Sequence, residues 1–163
     1  LVDCDKTSSG CNGGLEVWAF AYAENAAIEL EATYPYVART STCAAKKDEG
    51  KVLATSYKTV TPKSVPDLKA AVAQGPTCVS VDAANRYFQG YTGGILNTKR
   101  CGKQLDHAVT AVGYGTESGQ EYLIVRNSWG ASWGEEGYIR MSLDVTGAGV
   151  CGVLLDSTTV KAN

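Results

Sequence analysis

Asp106-His107-Ala108-Val109-Thr110-Ala111-Val112-Gly113-Tyr114-Gly115 opens an apolar run on a lone imidazole, and Glu121-Tyr122-Leu123-Ile124-Val125-Arg126-Asn127-Ser128-Trp129-Gly130 closes a second run on an amide. Both runs are β-branched or aromatic and bounded by glycine, which reads as antiparallel strands over Ala108–Tyr114 and Glu121–Arg126. Two further runs of that texture, Val79–Val81 and Tyr138–Ser142, lie on either side. The stretch therefore predicts a β-rich body.

Upstream the texture is helical. From Leu15 to Leu30 the chain is rich in Ala, Leu and Glu, with apolar residues at Leu15, Trp18, Ala19, Tyr22 and Ala26, which predicts a mostly buried helix. Thr33-Tyr34-Pro35-Tyr36 ends it, and Ala38–Lys51 has no period and reads as a surface loop held by Cys43. Ser64-x-x-Asp67 before Leu68, Ala71 and Val72, with Gly75-Pro76 after, predicts a short capped helix. Helices first and strands afterwards give an α+β class, with a helical part over 1–57 and a β-rich part over 58–163.

Composition narrows the function. The 163 residues carry 44% hydrophobic side chains and a formal charge of -2 with no run of like charge, so there is no basic field for nucleic acid. No stretch of about 18 apolar residues is present, so no membrane partner is expected. The amino terminus lacks the regions of a signal peptide, and its start reads as a cut in a longer protein. Six cysteines, Cys4, Cys11, Cys43, Cys78, Cys101 and Cys151, include no Cys-x-x-Cys pair and accompany a single histidine, so neither a metal nor another cofactor is expected. Disulfides in an oxidising setting, secreted, vacuolar or lysosomal, are the better reading.

The chemistry centres on His107 and Asn127. A buried amide must find hydrogen-bond partners, and a histidine ring N–H supplies one. Nucleophilic cysteine catalysis needs this pair: an imidazole to take the thiol proton and a neutral acceptor to fix the ring. Trp129 can roof that bond. On residues alone, the alternative is that Asn127 caps a turn while Trp129 and Trp133 fill core.

Eight blocks, in order, carry a resemblance: Leu1-Val2-Asp3-Cys4, Gly10-Cys11-Asn12-Gly13-Gly14, Tyr34-Pro35-Tyr36, Gly75-Pro76, Asp106-His107-Ala108-Val109, Val112-Gly113-Tyr114-Gly115, Asn127-Ser128-Trp129-Gly130 and Trp133-Gly134-Glu135-x-Gly137-Tyr138. Together they resemble the papain and cathepsin L family of cysteine endopeptidases, whose Cys, His, Asn arrangement is a known example of its kind. The resemblance implies a helical left domain and a β-barrel-like right domain, with a peptide or protein substrate lying across the cleft.

It implies His107 as general base and Asn127 as its orienter. Gly13 and Gly14 would offer backbone groups to the substrate, Trp133 would line the side beyond the cleaved bond, and Asp106 and Trp129 would be among the other substrate-binding residues. Leu15, Glu16, Ser80, Leu105 and Asp156 would surround the specificity pocket, with Asp156 at its floor. It pairs Cys4 with Cys43 and Cys101 with Cys151, and sends Cys11 to a partner upstream.

Family members also carry a Cys-Gly-Ser-Cys-Trp-like segment and an upstream glutamine ahead of the Leu-Val-Asp-Cys block; this sequence has neither. An oxyanion donor of that kind is worth about 10² to 10³ in rate. The nucleophile is then expected from a missing amino-terminal segment or a second chain, and this chain alone is expected to be inactive. Cys78, at the head of a strand, reads as a buried, inert thiol. The competing readings are a non-catalytic homologue that binds through the same surface and a disulfide-rich adhesion module; the latter leaves His107 and Asn127 unexplained.

Overall fold

A computed structural model describes all 163 residues. They pack as two compact units, Leu1–Lys58 with Val160–Asn163, and Thr59–Thr159. No helix is long and apolar enough to cross a membrane.

In the first unit, α1 spans Glu16–Asn25 and not the expected Leu15–Leu30. Its end has a local cause: Ala26 turns to extended backbone, and Ile28 then exchanges hydrogen bonds with Val52 in an isolated bridge. Nor is the helix mostly buried, since Ala23 is its only buried residue. Ala38–Lys51 forms no helix or strand and is mostly exposed. It is tied down by the Cys4–Cys43 disulfide and by the Asp3 carboxylate, which accepts from Ser41 N–H at 2.6 Å and the Tyr34 hydroxyl at 2.8 Å. Those two bonds, Ser41 first, hold the Asp3 carboxyl below the usual range. Strand β1, Ala54–Thr59, meets the end of the chain, where Leu53 and Asn163 exchange hydrogen bonds; the last four residues therefore go with this unit.

The second unit opens with α2, Val65–Val72, which forms as its sequence predicts. The Ser64 side chain accepts from Asp67 N–H, and Leu68, Ala71 and Val72 turn inward. Then come β2 (Thr77–Val81), a single turn of helix α3 (Arg86–Gln89), β3 (Ile95–Leu96), β4 (His107–Glu117), β5 (Gln120–Arg126), β6 (Tyr138–Ser142) and β7 (Ser157–Ala162). Within this unit the strands run β7-β2-β4-β5-β6-β3, antiparallel except for the β3–β6 pair. The fold is mixed α+β, as the sequence predicts.

Period-two burial explains the sheet. Val79, Val81, Ala111, Leu123, Val125, Ile139 and Met141 are fully buried, and each larger side chain of this kind contributes roughly 1.5 to 3 kcal/mol. The Cys101–Cys151 disulfide, with a sequence separation of 50, sits against the 82–85 segment, where Asp82 N–H donates to Cys151 O at 2.8 Å. A loop of that size corresponds to about 4 kcal/mol before strain. Cys78 is half-buried in β2, less enclosed than expected.

Candidate active site

The sheet's register brings the chemistry to one corner. His107 is the first residue of β4 and stands opposite Val81 of β2. Just before it, Asp106 donates its N–H to Val81 O, while its carboxylate accepts from Ala83 and Ala84 N–H at 2.7 and 3.2 Å. Asp106 thus pins the 82–85 loop beside the histidine. Asn127 follows β5 and is 8% exposed; its N–H is held by Gly137 O at 2.9 Å.

The two side chains meet: His107 Nε2 lies 2.8 Å from Asn127 Oδ1. The same Oδ1 accepts from Ser128 N–H at 2.7 Å, and only an oxygen can do so, which fixes the amide's orientation. A carbonyl oxygen accepts and does not donate, so Nε2 of the neutral ring carries the proton and Nδ1 keeps its lone pair. The ring therefore presents one defined basic nitrogen. The amide's other end, Nδ2, is buried without a partner, and leaving a buried donor unmade costs about 1 to 3 kcal/mol. The corner therefore keeps Asn127 for its acceptor and at some cost in stability.

Aromatic packing holds the imidazole. Trp129 stacks on the His107 ring at 5.2 Å between centroids and 22° between planes, with 41% of its surface exposed. Beneath both lies Phe88, fully buried, edge-on to Trp129 at 5.5 Å and to His107 at 6.3 Å. Trp133 packs against Phe88 at 5.1 Å and donates its indole N–H to Gln89 O. The single-turn helix α3 carries Phe88 and stands on Asn85, whose side chain accepts from Tyr87 and Phe88 N–H. The Trp133 loop is braced by Glu135, which takes Gly94 N–H and two guanidinium bonds from Arg140; Arg140 holds its carboxyl below the usual range. Gly134 is required there: its φ is +58°, and a Cβ would stand 2.5 Å from Tyr138 O.

Ser80 and Asp156 also come together, with Ser80 Oγ 3.1 Å from Asp156 Oδ2 and Ser80 N–H on Asp156 O at 3.0 Å. Asp156 is half-buried and so does not simply turn into solvent. Leu105 is 36% exposed and lies close over Gly152. In the first unit, Gly13 has φ +107° with open space where a Cβ would be, Gly14 is exposed, and Leu15 and Glu16 begin α1. Phe88, Asn85 and Gln89 were missed in the sequence; the Asn-x-x-aromatic spacing that builds α3 was the only local signal.

Comparison with known proteins places the chain in a family. Residues 1–160 match the family described as Papain family cysteine protease, and the chain belongs to that family. It is 45% identical over 159 residues to Papaya proteinase 4 of Carica papaya, covering 96% of this chain and 45% of that protein. It is 44% identical over 163 residues to Germination-specific cysteine protease 1 of Arabidopsis thaliana, covering 97% and 43%. A solved structure of the bromelain protease from Ananas comosus, in complex with an inhibitor, superposes with a TM-score of 0.90 at 43% identity over 98% of this chain and 74% of that one. The chain spans from 34% to 49% of the length of the curated relatives it matches.

Proposed function

We propose that this chain is part of a cysteine endopeptidase that hydrolyses peptide bonds by a Cys-His-Asn mechanism, with the nucleophilic cysteine supplied by a part of the enzyme outside these residues. The observation that carries the reading is the 2.8 Å bond from His107 Nε2 to Asn127 Oδ1, which leaves Nδ1 as the base. The cysteines of the chain do not fill the role. Four are in disulfides, Cys11 is read as the bridge partner of a cysteine outside these residues, and Cys78 lies three β2 residues from the partner of His107, about 10 Å along the strand.

The steps follow from that base. His107 Nδ1 takes the thiol proton, and the thiolate attacks the substrate carbonyl carbon to give a tetrahedral adduct. The imidazolium returns the proton to the leaving nitrogen as the C–N bond breaks, leaving a thioester. Nδ1 then deprotonates water, which displaces the thiol and releases the acid. Asn127 stabilises the imidazolium at each stage through Nε2–H, and Trp129 keeps the ring in plane.

In the first unit, Gly13 and Gly14 present backbone to an extended peptide. Trp133 meets the residues beyond the cleaved bond, Trp129 covers the imidazole beside it, and Asp106 shapes that side by holding the 82–85 loop. In the second unit, Ser80, Leu105 and Asp156 select the side chain two residues before the cleaved bond, with Asp156 favouring arginine, and in the first unit Leu15 and Glu16 take part in substrate binding. The two disulfides support a vacuolar, lysosomal or secreted location.

The test is labelling with a thiol-directed epoxide inhibitor, read by intact mass and peptide mapping. The complete enzyme is expected to take one equivalent on a cysteine outside this sequence, and this chain alone none. Stoichiometric labelling at Cys78 contradicts the assignment of the nucleophile. A complete protein that takes no label is a non-catalytic homologue.

A further inference from the structure

The helix that seats Phe88 under the His107–Trp129 stack carries a second feature on its outer side. Arg86 is exposed, lies over the Tyr87 ring at 5.1 Å, and donates from Nη2 to the Tyr87 hydroxyl at 3.2 Å. Arg86 first, and the Arg100 guanidinium second, hold the Tyr87 phenol below its usual range, so both cations bear on one hydroxyl. Lys99 and Lys103, close to Arg100 in the chain, line a cavity of about 700 Å³ whose one acid, Asp144, accepts from Glu121 N–H.

Nothing within the chain neutralises this patch. Every ion pair uses Lys46, Lys69 or Arg140, and none uses Arg86, Lys99, Arg100 or Lys103. The nearby acids are committed elsewhere: Asp82 accepts from Asn85 Nδ2 and Gln104 N–H, and Asp106 from Ala83 and Ala84 N–H. Two like charges on one neutral acceptor, without a carboxylate between them, form a site shaped for an incoming anion.

We propose that Arg86 and Arg100, flanked by Lys99 and Lys103, form a specificity surface for acidic residues of the peptide substrate on the leaving-group side of the cleaved bond. The inference rests on the peptidase reading above. Position argues for a substrate side chain over a free polyanion. Arg86 and Phe88 are two residues apart on one helical turn, a few ångström along its axis. The next residue, Gln89, carries the carbonyl that holds the Trp133 indole. A patch of four cations is screened within about 8 Å at physiological salt, and the chain's net charge of -2 offers no wider attraction. Its reach is that of a neighbouring subsite.

The experiment uses the complete enzyme and fluorogenic peptides that differ only by Glu or Gln, walked across three positions after the cleaved bond. Wild type is expected to favour Glu at one position or more by about fivefold in kcat/KM at low salt, the scale of exposed ion pairs. The R86Q/R100Q double variant is expected to lose that preference and cleave the Gln peptides unchanged. Raising salt toward 1 M, where screening acts within about 3 Å, should erase it in wild type too.

A Glu-to-Gln ratio near one in wild type, or the same ratio in both proteins, overturns the proposal and leaves the peptidase reading standing. Heparin binding that the double variant loses, with peptide ratios unmoved, assigns the patch to a sulfated polysaccharide and equally overturns it. Absence of cleavage for every peptide, with no epoxide labelling, overturns the peptidase reading and this one with it.

Discussion

In the complete enzyme, His107→Ala is expected to lower kcat by about 10³-fold or more, because it removes the base for acylation, the acid for amine departure and the base for deacylation. Asn127→Ala is expected to lower kcat by less, with KM nearly unchanged, because the amide acts only through the ring it orients. The double variant should be no slower than His107→Ala alone, as groups that act as a unit are not additive. The geometry behind this is the shared Oδ1: it accepts from both His107 Nε2 and Ser128 N–H, so losing it frees the ring and the Ser128 turn together. Steady-state kinetics on the three variants decide the matter. A His107→Ala enzyme of wild-type rate, or strictly additive losses, contradicts the assignment.

The second large effect concerns specificity. Asp156→Ala is expected to lower kcat/KM for substrates with arginine two residues before the cleaved bond by about 10- to 200-fold, or 1 to 3 kcal/mol, and to leave leucine and phenylalanine substrates nearly untouched. Asp156 Oδ2 takes the Ser80 hydroxyl at 3.1 Å, which fixes the carboxylate while its second oxygen can meet a guanidinium. Leu105 beside Gly152 supplies apolar wall for the uncharged side chains. Equal losses for both substrate classes, or none for arginine, would remove Asp156 from the pocket.

The sequence made these expectations available unevenly, for physical reasons. Helix α2 was legible because its signals are local: a Ser64 cap, three inward apolar positions and a Gly75-Pro76 stop. Strands β4, β5 and β6 were legible as β-branched and aromatic runs, with ends that moved by a few residues at most. The overlong α1 shows the opposite case. Its composition favours helix through residue 30, but pairing of Ile28 with Val52 overrides it from 24 residues away.

Polar strands were missed for a related reason. Ser157–Ala162 and Ala54–Thr59 carry few apolar residues, and their burial is set by neighbouring strands. At the site, His107 and Asn127 were legible because their motifs are distinctive. The α3 turn was not: four residues that depend on Asn85 and on packing of Phe88 leave almost no periodic trace. The convergence of Arg86 and Arg100 across 14 residues leaves none.

The central claim is that Asn127 fixes the His107 ring with its proton on Nε2 and its lone pair on Nδ1. The direct measurement is a long-range ¹H–¹⁵N correlation spectrum of the complete enzyme labelled with ¹⁵N-histidine. The nucleophilic thiol is blocked by methylation, and spectra are recorded on the neutral ring. The His107 signals are identified by their absence from His107→Gln. The account predicts a protonated, pyrrole-like Nε2 and an unprotonated, pyridine-like Nδ1, with that bias weakened in Asn127→Ala. A protonated Nδ1, or a tautomer indifferent to Asn127→Ala, would contradict it.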